Sequence, residues 1–145
     1  MEPWIAGPLA GLFATVVMTI LEVPAWRRRG FAGILDWEQN QTMAARLIGR
    51  PAEELVVAGL GLHFSHGVLA GLVFALGLGA SPVPLPSPAA GAAFGIVLWG
   101  LTLAVHARVT GRRIRGDSVR MAAAMVSFGS HLVYGIALGV LVLLL

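Results

Sequence analysis

The chain has 145 residues, of which 57% are hydrophobic, with a formal charge of +3 and a mean hydropathy of +0.84. A soluble domain of this size cannot hide so much apolar surface, and the lack of cysteine excludes disulfides, thiolate metal sites and thiol catalysis. All ten cationic side chains are arginine, yet no nucleic-acid motif accompanies them, so nucleic acid is not an expected partner.

The first span is predicted over residues 4–25, after a start, Met1-Glu2-Pro3-Trp4, that lacks the positive region of a cleaved signal peptide, so this helix is expected to be retained. Five arginines follow, Arg27, Arg28, Arg29, Arg46 and Arg50, in a polar segment over 27–54. Within it, residues 36–48 suit a short helix lying on the membrane surface with Trp37 at headgroup level. Leu55 to Ala107 then carries no charged residue. A span needs about 20 apolar residues, so this stretch holds two, at 55–79 and 91–109. Pro51 suits the start of the first of these, with Glu53 and Glu54 complementing its helix dipole. The proline-rich link from Ser81 to Pro88 is uncharged and stiff. The remaining arginines, Arg108, Arg112, Arg113, Arg115 and Arg120, lie at or between the third and fourth spans. Asp117 and Ser118 offer an N-cap for the fourth span, over 121–145, which is free of charge.

Alternating through four spans puts every arginine on one side. Because cytoplasmic loops are enriched in Lys and Arg, the fold expected is an all-α membrane protein in the inner membrane, with four transmembrane helices and both termini outside.

The chain also reads as one hairpin written twice. His63, Gly67 and Gly71 form H-x-x-x-G-x-x-x-G, and His131, Gly135 and Gly139 repeat it in the fourth span. Gly7 and Gly11 likewise match Gly91 and Gly95, which sets Glu22 opposite His106, and His66 pairs with Tyr134. Two tandem hairpins with the same direction are related by a pseudo-two-fold axis along the membrane normal. Gly67, Gly71, Gly135 and Gly139 are then helix-packing positions.

Ionisable groups inside a membrane are costly and point by default to a functional site. Here they are Glu22, His63, His66, His106 and His131. Two facing imidazoles, His63 and His131, would suit a haem. The wider set with His106 and Glu22, and His66 as a supporting donor, would suit a transition metal such as Fe, Cu or Zn. The plainer alternative makes His63 and His131 hydrogen-bonding glue between helices. Met18, Met121 and Met125 read as core rather than copper ligands. Ser65, Ser127 and Ser130 raise a hydrolase question, but Ser65 and Ser130 form no dyad with their neighbouring histidines, because residues one or two apart do not face each other on a helix. No G-x-S-x-G, P-loop or H-E-x-x-H motif occurs, so no enzyme class is indicated. Three functions stay open: a haem- or metal-binding membrane protein, a non-catalytic subunit of a larger complex or homo-oligomer, and a small transporter or proton path.

The stretch Gly11-Leu12-Phe13-Ala14-Thr15-Val16-Val17-Met18-Thr19, the motif His63-x-x-x-Gly67-x-x-x-Gly71 and the run Ser130-His131-Leu132-Val133-Tyr134-Gly135 together resemble a family of small bacterial and archaeal membrane proteins of unknown function. The resemblance implies a four-helix membrane fold and no particular substrate. It also implies apolar or methionine residues where this chain has Glu22 and His106, which weakens a four-ligand site and leaves the His63–His131 pair.

Overall fold

The computed structural model describes residues 1–80, 87–112, 114, 116 and 118–145. The proline-rich link at 81–86 and the expected cap residue Asp117 lie outside them. The described residues fold into five helices: α1 (Pro3–Arg29), α2 (Leu35–Ile48), α3 (Val56–Gly79), α4 (Ser87–Thr110) and α5 (Ser118–Leu144). Short 3-10 turns, Gly30–Gly33 and Ala52–Glu54, flank α2. Pro51 caps the second turn rather than opening α3. All but α2 are long and apolar enough to cross a membrane. At 1.5 Å per residue, the 24 residues of α3 reach about 36 Å, which exceeds a hydrocarbon core of about 30 Å. The Met1 amine donates to the Leu145 carbonyl at 2.6 Å, so both termini share one end and the arginine-rich segments share the other.

Glycine decides which helices touch. Gly7 and Gly11 of α1 lie against Gly67 and Gly71 of α3, and a Cβ on Gly71 would sit 2.7 Å from the Gly11 Cα. Gly91 and Gly95 of α4 cross α5 in the same way, against the backbone of His131, Gly135 and Gly139. Small residues four apart let membrane helices approach to backbone contact. Each seam seats one α3 or α5 glycine between two partner glycines. Gly71 lies between Gly7 and Gly11, and Gly135 lies between Gly91 and Gly95. The sequence motif pairs Gly67 with Gly135, so the packing correspondence is one helical turn away from the motif correspondence. Ala10, Ala14 and Met18 of α1 pack on Tyr134 and Leu138 of α5, which joins the two pairs. The Tyr134 hydroxyl donates to the Gly67 carbonyl at 2.7 Å, tying α5 to α3. By contrast α3 and α4 scarcely touch.

The expected surface helix forms as α2, with Asp36 and Glu38 in its first turn, and it ends where Gly49 turns left-handed at φ 76°. Its setting differs from the expectation. Trp37 is only 5% exposed, packs 5.8 Å from Trp26 between ring centroids, and donates to Glu22 instead of anchoring at headgroups. The polar residues Asp36, Glu38, Asn40 and Gln41 of α2 are buried along with Leu35, Trp37 and Ala44, while Leu47 and Ile48 are exposed. Gly59 permits this approach: a Cβ there would strike the Gln41 side chain. At the far end of α2, Arg46 donates to the Arg108 and Val109 carbonyls and so satisfies the C-terminal turn of α4.

The seam predicts an asymmetric response to bulk. Gly71→Leu must displace the α1 backbone and is expected to cost at least ~2 kcal/mol. Gly61→Leu, on the same helix with nothing within 4 Å, is expected to stay near wild type. Reversible unfolding in mixed detergent micelles measures both.

Candidate functional site

Three carboxylates lie almost wholly inside the protein: Glu22 at 0%, Glu38 at 1% and Asp36 at 6% exposure. A carboxylate without partners in an apolar interior is very costly, and each of these has hydrogen-bond donors. The α1 carboxylate, Glu22, accepts from Trp37 Nε1 of α2 at 2.7 Å on one oxygen and from Ser130 Oγ of α5 at 2.7 Å on the other. His63 Nε2 of α3 stands 4.0 Å from it. On α2, Asp36 accepts from Ser127 Oγ of α5 at 2.8 Å, and its second oxygen lies 3.7 Å from His131 Nε2. Glu38 meets Arg112 at 2.6 Å and Arg120 of α5 at 2.9 Å, with His106 Nε2 of α4 at 3.7 Å. Each of the three histidines therefore faces its own carboxylate.

His131 is tied to its own helix. Its Nδ1 is 2.8 Å from the Ser127 carbonyl oxygen, which can only accept, so that nitrogen carries a proton. Its Nε2 faces the Asp36 oxygen and, at 3.4 Å, the Thr102 hydroxyl. His63 and His106 are less well supplied. Both are buried, and neither His63 Nε2 nor either His106 nitrogen has a hydrogen-bond partner.

His63, His66 and His131 all line one cavity of about 320 Å³, together with Asp36, Gln39 and Tyr134. Met18 and Leu98 belong to its apolar wall. The two histidines paired by the sequence motif are thus brought to one space. Glu22 lies on the other side of His63, and His106 is apart, turned to Glu38. The wider ligand set is therefore divided among three histidine–carboxylate pairs. Among the described residues, no three His, Asp or Glu side chains gather as a metal ion would need. Met121 and Met125 are exposed, and only Met18 reaches the cavity wall.

Sequence reasoning missed Asp36, Glu38, Trp37, Ser127 and Ser130. Sequence weighs Ser130 only against the adjacent His131, whereas its hydroxyl and that of Ser127 donate to carboxylates of other helices. The acidic residues sat in a segment whose polar face reads as solvated. The signal that could have found them was the unmatched Glu22, a buried acid that requires donors from somewhere.

A family model matches residues 1–145 from end to end. The chain belongs to the family of unknown function DUF6789. That agrees with the resemblance carried by the glycine and histidine motifs, and membership in DUF6789 brings no substrate with it. No curated protein and no solved structure matches the chain. The features that distinguish this DUF6789 protein are thus the ones its own side chains display.

Removing Glu38 takes a carboxylate partner from Arg112 and from Arg120, whose side chain is 11% exposed. Breaking one side of a buried ion pair costs about 3–5 kcal/mol. Glu38→Ala is expected to fall at the lower end of that range, because the Arg112 side chain is half exposed. Unfolding in mixed micelles checks it, and a loss below ~1 kcal/mol would show that the cluster does not hold α2 in place.

Proposed function

We propose that this is a small multi-pass membrane protein that holds a small ligand between its helices, with His63 and His131 as the principal contacts. The observation that carries the reading is that histidines from two different helices, His63 of α3 and His131 of α5, line one cavity of about 320 Å³. Helix glue alone would not require a cavity beside them. The absence of any nucleophile–base motif in the sequence favours binding over turnover.

A haem or a transition metal is the second reading, supported by the same two imidazoles. A metal here would draw protein donors from His63 and His131 and the rest of its coordination from the ligand itself, as a haem provides. In both readings the arginine-rich end faces the cytoplasm of a cell with this protein in its inner membrane, and the termini face outward. The two glycine seams, built alike, support reading α1–α3 and α4–α5 as repeated hairpins about an axis along the membrane normal.

Two experiments test this. The chain has no cysteine, so single cysteines at positions 2 and 28 report topology cleanly. Labelling of intact cells by an impermeant maleimide is expected at position 2 and not at position 28. Purified protein in mild detergent is expected to carry a non-protein mass in native mass spectrometry. His63→Ala/His131→Ala should lose that mass while keeping its helical circular dichroism. Near-stoichiometric metal by elemental analysis would favour the second reading. A ligand-free protein that purifies with another subunit at fixed stoichiometry would sink both readings and favour an accessory role.

A further inference from the structure

The histidine cavity is walled on three sides. Behind it stand α1 and α5, through Thr15, Met18, His131 and Tyr134. Toward the arginine-rich end α2 lies across it, lining it with Asp36, Gln39 and Asn40. That helix reaches both neighbours of the gap: Gln41 packs on Gly59 of α3, and Arg46 donates to the Arg108 and Val109 carbonyls of α4. Toward the other end, beyond Ala70 and Leu98, the rings of Phe74 and Phe94 meet at 5.3 Å between centroids and bridge α3 to α4. From that level outward the gap continues as an apolar groove lined by Val73, Gly77, Ala93 and Val97.

The fourth side, between α3 and α4, is open. Three residues that line the cavity from these helices, His66, Leu101 and Val105, are also exposed on the outer surface of the bundle. His66 lies about 15 Å along α3 from Val56, and Leu101 about 14 Å along α4 from Thr110. Both depths are near the middle of a hydrocarbon core of about 30 Å, so the opening faces lipid tails. An ionisable side chain at that depth is costly and marks a cavity or a pathway, and His66 stands on the rim of this one. Charged heads cross hydrocarbon poorly, which restricts what can enter by this side to uncharged molecules. Inside, the His66, Asn40 and Thr102 side chains can each donate and accept hydrogen bonds. A cavity of about 150 Å³ accommodates benzene, so 320 Å³ leaves room for about two rings.

We propose that the histidine cavity opens sideways into the bilayer between α3 and α4, and that it takes an uncharged, lipid-soluble molecule of about one or two rings whose polar group exchanges hydrogen bonds with His66, Asn40 and Thr102. This rests on the reading of the cavity as a ligand site and adds the ligand's class and its route. The ligand comes from the membrane, because α2 lies across the path from water at the arginine-rich end.

The chain has no cysteine, so one introduced thiol reports access to the cavity. Ala70→Cys places it on the cavity wall, and Thr102→Cys serves if the first variant does not fold. In phosphatidylcholine nanodiscs, where water meets both ends, the variant is treated with benzyl methanethiosulfonate, which is uncharged, or with its trimethylammonium-ethyl counterpart, and the added mass is followed with time. The uncharged reagent is expected to react at least about tenfold faster. Leu101→Trp, at the 56% exposed rim, should slow that reaction about tenfold, whereas Ile96→Trp, exposed on α4 but on neither space, should not. At equal concentration in the bilayer, benzyl alcohol should protect the Ala70→Cys thiol better than toluene, because only the alcohol meets the polar wall. Equal or faster reaction of the charged reagent overturns the proposal, as does a folded protein in which neither thiol reacts, a rim tryptophan without effect, or toluene protecting as well as the alcohol. If the charged reagent is the faster and His63→Ala/His131→Ala still loses a co-purified mass, the route through the bilayer fails and the cavity reading stands. If the uncharged reagent enters as expected and no mass co-purifies, the opening stands and the reading of a resident ligand fails.

Discussion

A carboxylate inside an apolar bundle must be met by donors, and the arginine-rich half of this protein is arranged around three of them. Glu22 sits on a spanning helix and cannot reach water, so Trp37 and Ser130 come to it. Trp37 arrives only because α2 turns inward. Once α2 is inside, its own acids, Asp36 and Glu38, need partners, and these come from Ser127, Arg112 and Arg120. Three helices and one connection are bound together by this chain of requirements. A net hydrogen bond to a charged group contributes roughly 1.5–3 kcal/mol, so the ordering of α2 is cooperative: losing one donor leaves an acid whose removal from the interior pulls α2 with it.

The glycine seams make that arrangement reachable. Serine side chains are short, and Ser127 and Ser130 meet acids of other helices because the bundle is drawn tight by backbone-to-backbone crossings. Tightness at α1–α3 and α4–α5 has a geometric consequence on the side between them. Helices α3 and α4 remain apart, and the space between them becomes polar where the histidines and α2 line it and apolar beyond. The cavity thus arises from the packing that buries the acids, and the groove follows from the seams.

Much of this was legible in the residues. Runs without charge gave four long helices because the bilayer sets a minimum apolar length. The spacing of Gly67, Gly71, Gly135 and Gly139 gave packing positions, and His63 and His131 share a cavity as the repeated motif suggested. The correspondence between the seams was less readable. Identical motif spacing fixes which residues share a helix face, while the turn at which two helices cross depends on both partners, and here Gly71 corresponds to Gly135 in packing. The burial of α2 was not readable at all. Periodicity finds that a helix has a polar face, and says nothing about whether that face meets water or buried acids and imidazoles. In α2 the buried residues mix Leu35, Trp37 and Ala44 with Asp36, Glu38, Asn40 and Gln41, while Leu47 and Ile48 lie outward.

The central claim is that α2 is locked into the bundle by the hydrogen bonds of Trp37, Asp36 and Glu38, and hydrogen–deuterium exchange of the protein in nanodiscs tests it most directly. The account predicts that the amides from Trp37 to Gln41 exchange as slowly as those in the middle of α3, and that Glu22→Ala accelerates them by orders of magnitude while the glycine seams stay protected. Exchange of that segment within seconds in the unaltered protein would mean that α2 lies loosely on the surface, and would contradict the account.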